Sequence, residues 1–273
     1  MPGRRFGLIG GARILIGMSL FVTATAGAVE SGQVGMRFGI ESFRWQEFDS
    51  AGSRLLEETG PRLVVGASYD GFRRTQPGFV YSVAGALYLG SVDYDGQTQG
   101  GVPVMSDSDY FGLRVEGLAG WRVGRGVGVD FFGGVGFDDW IRDIDDSIAA
   151  DGLPAYGYSE TYIIFYTKAG LGLSVSQPAW YGRWDIGFKY PIYTYEYVDL
   201  AGGVDLSPGR RVSLFAGFRA DIGRSRGFHW GLALDYDSFR FSESDPEFLA
   251  GSFVVQPESE MDVVRAQVIV YFQ

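Results

Sequence analysis

Apolar and polar residues alternate along most of this chain with a period of two, in about ten separate stretches. In the stretch nearest the C-terminus, Val264, Val268 and Phe272 fall on one parity, and Arg265 and Gln267 fall on the other. Because successive side chains of a β-strand point to opposite faces, this pattern predicts strands with one apolar face and one more polar face. A helical period is nearly absent, so the pattern predicts an all-β fold.

The links between the predicted strands alternate in length. The strands are predicted at residues 32–48, 61–74, 79–94, 109–123, 127–140, 159–176, 180–198, 210–222, 227–242 and 261–272. Tight turns are predicted at 75–78, 124–126, 176–180 and 223–227, and longer links at 49–60, 95–108, 141–158, 199–209 and 243–260. This order is typical of antiparallel hairpins with turns at one end and loops at the other. An even number of strands then places both termini at the short-turn end.

A soluble β-sandwich would show the same alternation, so strand length helps to decide which medium the apolar faces meet. The predicted strands have about 12 to 18 residues, whereas strands of soluble sheets usually have about five or six. A closed barrel satisfies every backbone group without an edge, as hydrocarbon requires. The sequence therefore predicts a closed antiparallel up-and-down transmembrane β-barrel of about ten strands. The candidates for its aromatic girdles are Trp121, Trp184, Tyr190, Phe228 and Trp230.

The N-terminal segment has the pattern of a secretory signal peptide. Three arginines precede or border the apolar run at residues 14–22, and small residues follow it up to Ala28. A charged segment, a short apolar segment and an A-x-A site predict cleavage after Ala28. A membrane-anchoring helix is the alternative, but this run is far shorter than the roughly 20 residues that span a bilayer. We expect a signal peptide at 1–28 and a single barrel domain at 29–273.

Composition and charge exclude several classes of function. The chain has 273 residues, 42 glycines and no cysteine, and its formal net charge is −10 at pH 7. Disulfides and thiolate metal sites are excluded because both need cysteine. The acidic balance argues against nucleic-acid binding, which needs a basic surface. No motif for a cofactor is present, so no cofactor is predicted.

Taken together, these patterns resemble the small outer-membrane β-barrel proteins of Gram-negative bacteria, the OmpA-like and opacity-like porin group. The resemblance covers residues 32–273 and rests on the signal peptide, the alternating links and a last strand that ends in an aromatic residue. It implies an outer-membrane location and contact with membrane lipid and lipopolysaccharide. It also implies that the barrel-assembly machinery recognises the last strand through Phe272, Val270 and Val268. Gln273 follows Phe272, whereas the aromatic residue is normally last in this group.

The predicted inner face collects charges of both signs in near balance. The residues of this predicted lumen charge network are Arg37, Glu41, Asp70, Arg114, Glu116, Asp130, Lys168, Asp185, Lys189, Arg219, Asp221, Asp235, Asp237 and Arg265, and Arg183 shares their parity. The interior of a ten-stranded barrel is little wider than that of an eight-stranded one, which side chains fill. Buried charges need partners, so we expect a cross-linked polar core and a closed or very narrow lumen. An open channel would more often carry charges of one sign.

One predicted strand contains a change of phase. The apolar residues from Trp184 to Tyr190 share one parity, the tyrosines from Tyr193 to Tyr197 share the other, and Pro191 lies between them. A β-bulge at this point would accommodate the proline and shift the phase. In the alternative, the tyrosines line the mouth of the lumen.

Hydrolases are the enzyme class to consider, because known outer-membrane hydrolases of this size depend on a histidine base. The chain has one histidine, His229, directly after the turn at 223–227. This position predicts an inward side chain at the periplasmic end, away from external substrates. Asp235 and Asp237 lie too far along the strand to reach it, and Ser225 has no supporting motif. We therefore predict a structural histidine and no catalytic residue.

Carboxylates are concentrated in and beside the predicted loops. They are Asp93, Asp95, Asp107, Asp109, Asp138, Asp139, Asp143, Asp145, Asp146, Asp151, Glu243, Asp245, Glu247, Glu258, Glu260 and Asp262. Such clusters suit Ca²⁺ or Mg²⁺, so divalent cations are candidate partners at these loops. The spacing is not that of an EF-hand loop, and a solvated acidic surface is the alternative.

The sequence thus favours an outer-membrane β-barrel with a largely side-chain-filled lumen and a structural or surface-interaction role, and not an enzyme. A narrow porin for small solutes is the first alternative, and an outer-membrane hydrolase is the second. No metal or cofactor site is assigned.

Overall fold

A computed structural model describes residues 32–71, 76–200, 202–222, 229–249 and 251–272. Its ten long strands are β1 Gln33–Phe48, β2 Arg54–Asp70, β3 Gly78–Gln97, β4 Pro103–Val123, β5 Val127–Ile144, β6 Ser159–Ser176, β7 Trp180–Val198, β8 Ser213–Ile222, β9 His229–Ser242 and β10 Glu258–Phe272. The predicted all-β fold is confirmed. The predicted signal peptide at 1–28, with Ser225, Phe228 and Gln273, lies outside the described residues. No helix in the described part is long and apolar enough to cross a membrane.

The sheet closes on itself. Each strand pairs antiparallel with its neighbours in chain order, and β1 pairs with β10 from Val34 opposite Phe272 to Phe48 opposite Glu258. Each of the ten long strands therefore has two partners, and the predicted closed antiparallel barrel of ten strands is confirmed. The short links at one end of this barrel define its short-turn end, and the longer links define its loop end.

Several strands are longer than predicted, and the loops are correspondingly shorter. β2 begins at Arg54, β3 ends at Gln97 and β4 begins at Pro103, so the links predicted at 49–60 and 95–108 are largely strand. The loop-end links are residues 49–53, 98–102, 145–158, 199–212 and 243–257. The strand ends that the prediction missed carry polar residues on the outer face, among them Glu57 of β2, Asp95 of β3 and Asp107 of β4. Those positions lie beyond the lipid, where a strand's outer face needs no apolar side chains.

Two of the longer loops contain short hairpins of their own. Ser147–Ile148 pairs with Pro154–Ala155, and Glu247–Leu249 pairs with Ser252–Val254. Val204–Leu206 extends the sheet beside the end of β7. At the opposite end, the turn between β4 and β5 uses Gly124 at φ 99° and Gly126 at φ 72°, a backbone region that glycine adopts without strain.

The outer face carries a continuous apolar belt. On β10 the exposed residues include Val264, Val268 and Phe272, the parity that the sequence predicts to be apolar. Four girdle candidates face outward and are each 40 % exposed or more: Trp121, Trp184, Tyr190 and Trp230. A folded protein exposes an apolar surface of this size only where another apolar medium is in contact with it. The belt is therefore the lipid-facing surface of the barrel.

The predicted β-bulge in β7 is confirmed. Tyr166 of β6 lies opposite Pro191, whereas the preceding residue, Phe165, lies opposite Tyr193, so Ile192 is the extra residue. Ile192 and Tyr193 are both exposed on the outer face. The tyrosines that follow the bulge therefore do not line the lumen, because the extra residue turns them to the outer side.

Candidate functional site

Near the loop end, a cluster of aromatic rings lies in the lumen, here called the plug: Trp45, Trp140, Tyr162 and Phe241. These residues come from β1, β5, β6 and β9, strands distributed around the barrel. Trp140 and Tyr162 stack with their centroids 4.8 Å apart, and Trp45 lies 5.5 Å from Tyr162 and 6.0 Å from Phe241. All four rings are buried. Rings from opposite walls of the barrel therefore meet inside the lumen at this level.

A buried arginine ties the plug to three strands. Arg142 of β5 lies 2.7 Å from Glu160 of β6, 3.0 Å from Glu58 of β2 and 3.3 Å from Glu47 of β1. Tyr110 also donates a hydrogen bond to Glu58, at 2.5 Å. One guanidinium thus holds carboxylates from three other strands, a geometry that suits its fork of donors.

Glu196 is a fourth buried carboxyl beside this cluster. It lies beyond the bulge and the apolar belt, opposite Leu206 of the loop strand Val204–Leu206. Burial, and then the nearby charges of Glu160 and Glu47, raise the pKa of Glu196 well above its ordinary value. The shift favours the neutral form of this carboxyl.

Below the plug, ion pairs cross-link the middle of the lumen, here called the central network. Glu41 of β1 lies 2.5 Å from Arg62 of β2 and 3.0 Å from Arg265 of β10. Arg114 lies 2.7 Å from Asp138. Each of these side chains is buried or faces only the interior, so the pairs compensate charges that are largely removed from bulk water.

Asp237 is the junction of a second part of the central network. It lies 2.9 Å from Lys189, and Arg114 and Arg265 approach it to 4.0 Å. Lys168 pairs with Glu116 at 3.1 Å on the neighbouring side of the lumen. The middle of the barrel is thus held by links between strands that are distant in sequence.

A third group of charges, here called the basal layer, lies at the short-turn end. Asp130 lies 2.6 Å from Arg122 and 2.5 Å from Arg183, and Arg183 also holds Asp185 at 2.9 Å. These contacts join β5, β4 and β7.

The other half of the basal layer joins β8 to β2 and β10. Arg219 lies 2.6 Å from Asp70 and 3.0 Å from Asp221, and Tyr271 donates to Asp221 at 2.8 Å. His229 stacks on Tyr271 with centroids 4.7 Å apart, and its ring nitrogen lies 2.5 Å from Gln33 Nε2. The histidine is therefore buried at the short-turn end, where the sequence predicts it.

The structure places every residue of the predicted lumen network on the inner face, and it joins most of them. Ion pairs join Glu41, Asp70, Arg114, Glu116, Asp130, Lys168, Asp185, Lys189, Arg219, Asp221, Asp237 and Arg265 to partners in the lumen. Two residues differ: within the described part of the chain, Arg37 and Asp235 have no oppositely charged partner closer than 4.0 Å. Arg37 donates instead to the Ser68 hydroxyl at 3.2 Å.

Sequence reasoning missed several members of the network: Arg62, Arg122, Arg142, Glu47, Glu58, Asp138 and Glu160. Arg62 and Arg122 lie on the inward parity of predicted strands, so parity alone could have found them. Arg142 and Glu58 could not be found, because the prediction placed both in loops.

The acidic-loop prediction needs a correction. Asp138 is buried on the inner face of β5, where it accepts hydrogen bonds from Tyr88 and Arg114 at 2.7 Å each. Asp109 and Asp143 lie opposite each other on the outer faces of β4 and β5, not in loops. The described residues contain no group of three or more histidine, aspartate or glutamate side chains placed to hold a metal ion. Divalent cations at these loops stay a prediction.

Comparison with known proteins agrees on the fold and leaves the activity open. No family model matches the chain, and no curated protein sequence matches it. Among solved structures, it is similar to the outer membrane protease OmpT from Escherichia coli, with a TM-score of 0.55 and 9 % identity over 92 % of this chain and 99 % of that one.

Two autotransporter units were also found. The AIDA-I transport unit from Escherichia coli gives a TM-score of 0.46 and 10 % identity over 93 % of this chain and 94 % of its own. The NalP translocator domain from Neisseria meningitidis gives a TM-score of 0.45 and 14 % identity over 89 % of each chain. The closed ten-stranded barrel with its apolar belt, and the fold that it shares with OmpT, are those of a small bacterial outer-membrane β-barrel.

Proposed function

We propose that this barrel has a lumen closed to solutes, and that its role is structural or depends on contacts made by its outer surface. The plug is the observation that carries the proposal. Four buried rings from four strands meet across the lumen, and Arg142 holds carboxylates of β1, β2 and β6 beside them. Moving these rings aside would break both aromatic packing and buried ion pairs, so a continuous path for solutes is unfavourable.

The two alternatives have less support. A narrow porin would need a water-filled path past the plug, and the charges below it are largely paired with one another. A hydrolase would need a base beside a substrate site, whereas His229 stacks on Tyr271 in the basal layer. Likeness of fold to a protease does not supply such a site, because unrelated functions share one barrel architecture.

The outer surface is where partners would meet this protein. The apolar belt supports contact with membrane lipid, and we extend this proposal to lipopolysaccharide at the loop end. Exposed aromatic residues lie on the loop hairpins, among them Tyr156, Phe248 and Phe253. We further propose that Phe272, Val270 and Val268 on the outer face of β10 are read by the barrel-assembly machinery.

Conductance in planar lipid bilayers tests the closed lumen. The wild-type barrel should give no stable single-channel steps, whereas Trp45→Ala combined with Trp140→Ala should give measurable leak, because two rings of the plug are removed. Trp121→Ala is the matched control, since this tryptophan lies on the lipid-facing side, and it should leave the bilayer silent. Stable wild-type channels of uniform conductance would contradict the proposal and favour the porin.

A further inference from the structure

A cavity of about 160 Å³ lies inside the barrel on the short-turn side of the plug. It exists because small residues face the lumen at this level: Ser82 and Ala84 on β3, Gly217 on β8 and Ala233 on β9. A cavity of roughly 150 Å³ in a protein core can hold a molecule the size of benzene. The space is therefore large enough for a small organic molecule of about six non-hydrogen atoms.

The charges that line this cavity are paired with two exceptions. Three ion pairs join lining residues: Lys168 with Glu116 at 3.1 Å, Arg183 with Asp185 at 2.9 Å, and Arg219 with Asp70 at 2.6 Å. A fourth joins the lining residue Asp237 to Lys189, which lies outside the lining, at 2.9 Å. The lining residues Arg37 and Asp235 are left, one cation and one anion. Neither takes part in an ion pair within the described residues.

Within the described residues, these two groups do not form an ion pair with each other. Strand β10 lies between β1 and β9. Arg37 of β1 lies opposite Ile269 of β10, and Asp235 of β9 lies opposite Arg265 of β10. The two groups are therefore offset by four residues along β10. Arg265 is directed to Glu41 at 3.0 Å and does not close a pair with Asp235. A Cβ at Gly217 would lie 2.9 Å from Asp235 Oδ1, which places this carboxylate directly over the glycine at the cavity wall.

An unpaired charge inside a barrel is unfavourable, and one molecule that carries both signs would compensate both groups. We propose that the cavity binds a small zwitterion, with its carboxylate on the Arg37 guanidinium and its ammonium group on the Asp235 carboxylate. A guanidinium takes a carboxylate through two parallel hydrogen bonds, and an ammonium group donates to an aspartate. The plug separates the cavity from the loop end, so the ligand enters from the short-turn end.

Isothermal titration calorimetry on the folded barrel tests this inference. A non-ionic detergent is required, so that no zwitterionic headgroup competes for the cavity. The probes are glycine, β-alanine and γ-aminobutyrate, whose charges are increasingly far apart, with acetate and methylammonium as the two separate halves. At least one zwitterion should bind saturably at millimolar concentration, and each half should bind at least tenfold more weakly.

Variants assign the two ends of the ligand. Arg37→Gln and Asp235→Asn should each lower the affinity at least tenfold. The matched controls on the outer face, Arg44→Gln and Asp143→Asn, should not change it; Arg44 pairs there with Asp262 at 2.7 Å. Should a lumen charge variant fail to fold, Ala84→Leu fills the cavity without altering charge and should abolish binding. No saturable binding of any zwitterion, or equal affinity in the lumen and outer-face variants, would overturn the proposal.

Discussion

At the scale of single residues, two aspartates on one strand show how differently the lumen treats the same side chain. Asp237 and Asp235 both face inward from β9. Asp237 has Lys189 at 2.9 Å and two arginines at 4.0 Å, whereas no cation of the described residues lies within that distance of Asp235. A buried carboxylate is stable when its cations are close, and destabilises the fold when they are not.

Neutralising these two aspartates should therefore have opposite effects on stability. Asp237→Asn should lower the free energy of unfolding by about 3–5 kcal/mol, because it leaves Lys189 buried without its partner. Asp235→Asn should leave that free energy unchanged or raise it, since no ion pair is lost. Urea titration of the refolded barrel in detergent, followed by tryptophan fluorescence, compares the two. Equal losses would mean that Asp235 has a partner in the folded barrel.

Parity indicated which charges face inward, but it could not indicate which of them pair. Arg219 and Asp70 lie 2.6 Å apart although 149 residues separate them in the chain. Such pairs depend on the stagger with which the barrel closes, which no local pattern contains. The unpaired state of Arg37 and Asp235 is hidden in the sequence for the same reason.

At the scale of elements, alternation predicted all ten strands and their outward faces, but it misplaced the loop-end boundaries. Asp93 lies opposite Asp107, and both are exposed on the outer side of β3 and β4. Aspartates at such positions led to the prediction of a loop, because strands usually contain few aspartates. On the inner side, Tyr94 and Tyr110 continue the buried core. The inward residues therefore still indicated a strand at positions where the outward residues did not.

The last strand gives a prediction about assembly. Phe272 lies on the outer face of β10 and is 49 % exposed to the lipid side. Phe272→Ala should lower the folded fraction in outer-membrane preparations several-fold, if this aromatic is read by the assembly machinery as proposed. The heat-modifiable band in gel electrophoresis measures that fraction. Loss of the apolar contact of the ring alone would lower the stability of the barrel by only about 1–3 kcal/mol, and the variant would still reach the membrane.

Phe79→Ala is the matched control for this experiment. Phe79 is also an exposed aromatic on the outer face near the short-turn end, but it belongs to β3. It should assemble almost normally. Tyr271→Ala is a poor control, because Tyr271 is fully buried and donates to Asp221. Equal assembly of the Phe272 and Phe79 variants would leave Phe272 as an ordinary lipid-facing residue.

At the scale of the whole molecule, the barrel is taller than a membrane. β4 has 21 residues and β3 has 20, whereas about 9–11 residues of a tilted strand cross the hydrocarbon. The like-charged outward pair of Asp109 and Asp143 can be tolerated only in water. The strands therefore extend beyond the lipid at the loop end, and the plug and the Arg142 cluster lie in this extension.

This asymmetry predicts which end faces the outside of the cell. If the loop end is extracellular, chymotrypsin added to intact cells should cut after aromatic residues in the links 145–158 and 243–257, where Tyr156 and Phe253 are exposed. An arginine-specific protease should spare Arg125 in the turn at 124–126 until the outer membrane is permeabilised, because this turn would face the periplasm. Mass spectrometry of the fragments identifies each cut. Cleavage at Arg125 in intact cells, with the two loop-end links uncut, would reverse the orientation and place the plug at the periplasmic end of the lumen.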